Sequence, residues 1–170
     1  MSEQVTYDFL DRISFPSSVK IVNPTGAHRT HVFSPAIPIT PGSLARAEVQ
    51  AKTKDVLTPN GNGSWISIMG SPDEINWVYI GSGFTVPAVP GTWGTRGWAP
   101  FKSEMRMPAD IRFLRCHFTY APGITWFDDL KIYQDGVLIY ENKFTGWWPL
   151  TSVLAPIVTG LGVVRFGKKG

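Results

Sequence analysis

From Gly123 to Phe144 the chain reads GITWFDDLKIYQDGVLIYENKF, and Asp135-Gly136 divides the stretch into two runs that alternate apolar with polar residues. An Asp-Gly pair between alternating runs constrains a chain to a tight β-hairpin, because both residues tolerate the positive φ that the turn demands. The first run sets Trp126, Leu130 and Ile132 on one parity and Phe127, Lys131 and Tyr133 on the other. It predicts a strand on which Asp128 points inward with Leu130 and Ile132. Successive strand residues face opposite sides, so Asp128 and Asp129 cannot serve one substrate as an acid and base pair.

The same grammar recurs along the chain. Short runs such as SVKIVN, SWISIMG, WVYIGSGFTV, WAPFKSEMRM and ADIRFLRCHFTY are separated by turns rich in Gly, Pro, Asn and Asp. THVFSPAIPIT is interrupted by proline, which suits an edge strand. SLARAEVQAKTK follows the Pro41-Gly42 turn, and its alternation favours a strand over a short amphipathic helix. No segment sustains a helical period, and 17 Gly with 14 Pro in 170 residues supply many turns. The expected fold is all-β: a jelly-roll β-sandwich of about eight antiparallel strands in a single domain. Residues 1–18 read as a polar N-terminal arm, 19–143 as the sandwich, and 144–170 as an apolar extension with a basic tip.

Charge excludes one class of partner. The formal charge of +3 lies wholly in Arg165, Lys168 and Lys169, and a balanced body argues against a nucleic-acid surface. The lone cysteine, Cys116, shares parity with Leu114 and Phe118 and reads as a buried structural thiol. The polar start, MSEQVTYDFLDR, lacks the pattern of a signal peptide, which predicts synthesis in a host cytoplasm without export. His28 and His31 lie on a turn and a strand with no acid or Cys nearby, so they read as solvated rather than metal-binding. Neither a nucleophile elbow nor a phosphate-cradling loop accompanies the Ser, His and Asp residues, and the chain is expected not to be an enzyme.

Residues 144–164 contain no charge. Their length, the Trp147-Trp148 pair and the basic end imitate a membrane span, but Gly146, Pro149, Pro156, Gly160 and Gly162 argue against one. Exposed apolar surface of this kind predicts an interface, with Trp147, Trp148, Leu150, Val153, Leu154 and Ile157 as its candidates.

Two segments carry a resemblance. SPAIPITPGSLARAEVQAKTK and GWAPFKSEMRMPADIRFLRCHFTYAPGITWFDDLKIY present, in order, a Pro-Gly turn before a long strand, a Trp, a Met-Pro and an aromatic-Asp-Asp-aliphatic strand. Over about residues 19–133 this order resembles the galactose-binding-like jelly rolls, and among them the carbohydrate-binding modules related to families 4, 9 and 22. The resemblance implies sugar binding by aromatic stacking, for which Trp77, Tyr79 and Trp93 are the candidates, with core filling as the alternative for Trp77 and Tyr79; Trp93, between Gly91 and Gly94, is the hardest to read as core. It also implies a structural calcium held by an acid of the Asp-Asp strand and a Glu after an N-terminal Phe. Here Pro16 follows Phe15, so Asp128 is expected to cap backbone N–H groups, with calcium as the alternative and no other cofactor. A free-standing module with arms resembles a bacteriophage virion component. The leading expectation is therefore a capsid decoration or tail-associated protein on the virion surface that docks on other virion subunits or on itself through its arms and displays its sandwich to host glycans. The alternative is a stand-alone, lectin-like carbohydrate-binding protein.

Overall fold

In a computed structural model the alternating runs form strands. The structure describes residues 4–15, 17–24, 29–57, 64–82 and 94–144. These hold β1 (Gln4–Asp8), β2 (Ser18–Asn23), β3 (Arg29–Phe33), β4 (Ile37–Pro38), β5 (Leu44–Val56), β6 (Trp65–Ser71), β7 (Val78–Ser82), β8 (Gly94–Arg106), β9 (Phe113–Tyr120), β10 (Gly123–Gln134) and β11 (Val137–Asn142), and no helix. Every pairing is antiparallel. One sheet runs β1-β2-β10-β5-β8, with β11 also on β10, and the other runs β3-β9-β6-β7, with β4 on β9. The expected all-β sandwich is what forms, with eleven strands where about eight were read. Residues 4–8, placed in the arm by sequence, pair with β2 as an edge strand.

Alternation buries one side of each sheet. Val19 and Ile21, the small residues Ala45, Ala47, Val49 and Ala51, and Leu130 and Ile132 line the first sheet. Val32, Ile66, Ile68, Leu114, Cys116 and Phe118 face them from the second. Phe118 meets Phe127 edge-on at 4.8 Å between ring centres. Burying each such ring contributes about 2–3 kcal/mol. Cys116 is the structural thiol read from its parity, and complete burial pushes its pKa up to about 12.

The hairpin turn forms as its sequence dictates. Gln134 pairs with Val137, leaving a two-residue loop in which Asp135 (φ 48°) and Gly136 (φ 85°) both take positive φ, as a type I′ turn requires. The tip is tied to β5, since Leu44 N–H donates to Asp135 Oδ1 at 2.9 Å and Asp135 N–H to the Leu44 carbonyl at 2.8 Å.

The parity read for β10 needs one correction. Its register against β5 shifts between Asp128 and Lys131, and Asp129 sits in the bulge at φ 55°. One extra residue reverses the facing of everything before it. Phe127, opposite Val19 and Ala51, therefore joins Leu130 and Ile132 in the core, while Trp126 lies opposite Lys20 and Lys52 on the outer side. Asp128 shares that outer side. It is fully buried, but under the β1–β2 connection instead of in the sandwich core.

Phe144, which sequence put in the C-terminal extension, is 1% exposed and packs on Phe118. Its N–H donates to Asn142 Oδ1 and its carbonyl accepts the Ser17 hydroxyl. Among the described residues no helix is long and apolar enough to cross a membrane.

Candidate functional site

On the outer side of the first sheet four lysines pair with carboxylates of its own strands and the β1–β2 connection. Lys20 pairs with Asp8 at 3.6 Å, Lys52 with Asp11, Lys102 with Glu48 at 3.2 Å and Lys131 with Asp129 at 2.8 Å. Trp126 lies 5.3 Å from the Lys20 ammonium and 5.1 Å from that of Lys52, and its indole N–H donates to Asp8 Oδ2 at 3.0 Å. Partial burial opposes ionisation of Asp8. The N–H groups of Asp11, Trp126 and Leu10 and the Lys20 charge outweigh it and hold the carboxyl at about 2.

Asp128 does what was expected of it. Its Oδ2 accepts the N–H groups of Ile13 (2.7 Å) and Ser14 (2.8 Å), and its Oδ1 accepts the Ser14 hydroxyl (2.8 Å) and the Asp129 N–H (2.7 Å). Four donors aim hydrogens at the space a cation would need. Calcium takes six or more oxygen ligands, yet no group of three or more His, Cys, Asp or Glu gathers anywhere among the described residues. These residues do not fit the calcium that the resemblance implies.

The second sheet differs. Cross-strand register builds two rows on its outer side: Phe33, His117 and Ser67 across β3-β9-β6, then Arg115, Met69 and Tyr79 across β9-β6-β7. The turn after β6 adds Trp77. There the Asp73 carboxylate accepts the N–H groups of Ile75 (2.9 Å) and Asn76 (2.8 Å) and the Ser71 hydroxyl (3.0 Å), which closes an Asx-type turn. These bonds hold Asp73 at about 2. The turn then fixes the indole, whose N–H donates to the Glu74 carbonyl at 3.0 Å.

Arg115 stands at the centre of this side. Its guanidinium carbon is 4.1 Å from the centre of the Trp77 ring and 4.7 Å from that of Phe33. The Phe33 and His117 rings lie 4.6 Å apart. Phe33 is placed by the next residue, because Ser34 N–H donates to the Cys116 carbonyl and the Ser34 hydroxyl accepts the Cys116 N–H. Burial lowers the Arg115 pKa, and burial together with the Arg115 charge holds His117 at about 4. At neutral pH the site therefore presents one guanidinium cation and one neutral imidazole. Five buried side-chain polar atoms among the described residues lack a hydrogen-bond partner; the two in this sheet, Arg115 Nε and His117 Nε2, lie two residues apart on the same side. Buried polar groups are rarely left unpaired. Tyr79 is 57% exposed at the edge.

Of the residues singled out by sequence, Trp77 and Tyr79 thus meet on one face with Phe33, Met69, Arg115 and His117. Trp93, Trp147, Trp148, Leu150, Val153, Leu154, Ile157 and His28 lie outside the described residues. Sequence reasoning missed Arg115, His117 and Phe33. The available signal was two polar residues at alternate positions in RFLRCHF, opposite an unbroken apolar parity.

No protein-family model matches the chain, and no curated protein matches its sequence. Solved structures do match. The enzymatically active domain of bacteriophage CBA120 tailspike protein 4 superposes with a TM-score of 0.53 at 13% identity over 78% of this chain, which corresponds to 18% of the tailspike chain. A family 16 carbohydrate-binding module gives 0.51 at 9% identity over 76% of this chain and 84% of its own. The C-terminal family 22 carbohydrate-binding module of Clostridium thermocellum Xyn10B gives 0.49 at 12% identity over 81% and 84%. The chain thus has the β-sandwich fold of carbohydrate-binding modules and spans under a fifth of the tailspike chain.

Proposed function

We propose that the protein is a non-catalytic carbohydrate-binding module that holds a glycan against the outer side of the β3-β9-β6-β7 sheet. The observation that carries this reading is the Phe33–Arg115–Trp77 array with Tyr79 exposed at its edge. Aromatic rings take the apolar C–H side of a pyranose, and the guanidinium takes its polar groups. The fold shared with the family 16 module supports it. The strands of this sheet contain no Asp or Glu, and glycoside hydrolysis uses a carboxylate pair in most families, which supports binding over turnover. Calorimetry against a panel of oligosaccharides tests it. The intact chain should bind at least one of them, and Tyr79→Ala should weaken that binding about tenfold or more while leaving the melting temperature unchanged. No binding by the intact chain, or full binding by both Tyr79→Ala and Trp77→Ala, would sink the reading.

The tailspike match favours a second reading, in which the module is a virion component displayed at the virion surface. Its arms would dock through the uncharged C-terminal segment. Light scattering on the full chain and on one ending at Gly146, beyond the buried Phe144, tests it. A defined oligomer that becomes a folded monomer on truncation supports it, and two monomers count against self-assembly.

A further inference from the structure

We propose that the ligand of this site is an acidic glycan, a uronate-containing oligosaccharide whose ring carboxylate pairs with Arg115. The inference rests on the carbohydrate-binding reading and specifies which sugar that site selects.

Charge is the first observation. Arg115 and His117 are the basic residues among the described side chains of the second sheet's strands, which include no Asp or Glu. Lys20, Arg46, Lys52, Lys102 and Lys131 of the first sheet each meet a carboxylate within 4 Å, whereas among the described residues no carboxylate pairs with Arg115. A half-buried cation without a counter-charge is costly, and a neutral sugar cannot supply one. Geometry is the second. Trp77 and Phe33 flank the guanidinium at 4.1 and 4.7 Å; its Nε is buried, which leaves the two terminal nitrogens as the edge for an in-plane acceptor. A planar carboxylate matches that edge with two parallel hydrogen bonds. His117 stands on the same side two residues along β9, its ring against that of Phe33 at 4.6 Å. Tyr79, one row position beyond Met69, supplies the stacking surface.

Calorimetry on the full chain would compare three ligands: an oligogalacturonide, its carboxyl-reduced neutral counterpart and a sulfated neutral oligosaccharide of equal length. The expected result is binding of the uronate about tenfold or more tighter than of the reduced sugar, because a charge-assisted hydrogen bond is stronger than a neutral one. Arg115→Gln should erase that preference and retain the weaker binding of the neutral sugar. Arg115→Lys, which keeps the charge but loses the edge geometry, should retain only part of it, and thermal melts establish that both variants are folded. Equal affinity for the uronate and the reduced sugar overturns this inference and leaves glycan binding standing. Sulfated sugar bound as tightly as the uronate overturns the carboxylate assignment. No binding to any of the three while a neutral oligosaccharide of another class does bind also overturns it, and no binding to any sugar overturns both readings.

Discussion

Ser14 gives Asp128 two hydrogen bonds, its amide to Oδ2 and its hydroxyl to Oδ1, each 2.8 Å long, across 114 residues of sequence. With the amides of Ile13 and Asp129, this closes the β1–β2 connection over β10. Asp128→Ala would leave three amides without an acceptor, and each unsatisfied buried donor costs about 1–3 kcal/mol. We expect a loss of about 2–4 kcal/mol in urea denaturation, part of it recovered in Asp128→Asn. Because donors already fill both oxygens, calcium and a chelator should give the same unfolding midpoint.

His117 makes stability depend on mild acid. Its pKa is depressed from 6.5 to about 4 in the folded chain. As pH falls through 6.5 the unfolded chain takes up a proton that the folded chain accepts only near 4, so stability is complete above 6.5 and declines between 6.5 and about 4. Discounted for the exposed part of the ring, the decline is about 1–2 kcal/mol. Melting temperatures measured across this range should fall for the native chain and stay level for His117→Gln. A second decline between about 4 and 2 belongs to Asp8 and Asp73, whose depressed carboxyls must then be protonated.

Two glycines should respond unequally to alanine. At Gly123 (φ 123°) a Cβ would stand 2.6 Å from the Asp55 carbonyl oxygen and 2.7 Å from the Val56 Cα, both backbone atoms that cannot step aside. At Gly136 (φ 85°) it would meet nothing within 4 Å. Denaturant titration should show Gly136→Ala losing about 1 kcal/mol, the cost of positive φ alone, and Gly123→Ala losing twice that or more.

Asp73 positions Trp77 without lining the binding face itself. Asp73→Ala opens the turn whose Glu74 carbonyl holds the indole N–H. We expect several-fold weaker glycan binding, with a change in the tryptophan near-ultraviolet dichroism that Tyr79→Ala does not produce. Unchanged affinity with a changed spectrum would remove Trp77 from the site.

What was legible in the sequence was what neighbours along the chain decide. Asp135-Gly136 named its own turn, because the φ requirement of those two positions is local. The alternation from Ala45 to Ala51 announced a buried side, and Leu114, Cys116 and Phe118 did the same on β9. The bulge at Asp129 was not legible, because the extra residue exists only relative to the register of β5. Trp77 and Tyr79 stood out as aromatics, yet Arg115 looked like any solvated strand residue. Its surroundings come from β3 and from the turn after β6, both dozens of residues earlier in the chain. Cross-strand pairing makes such a site, and composition carries no trace of it.

The two outer sides of the sandwich also differ as seen from a distance. On one, cations and anions interleave in ion pairs. On the other, the Arg115 guanidinium is held between two rings with no ion pair among the described residues. An anionic ligand therefore feels a local pull toward Arg115 before any ring touches it, and simple salt shortens its reach. The sheet pairing that leaves Arg115 uncompensated therefore makes capture rate, and not only affinity, a function of ionic strength.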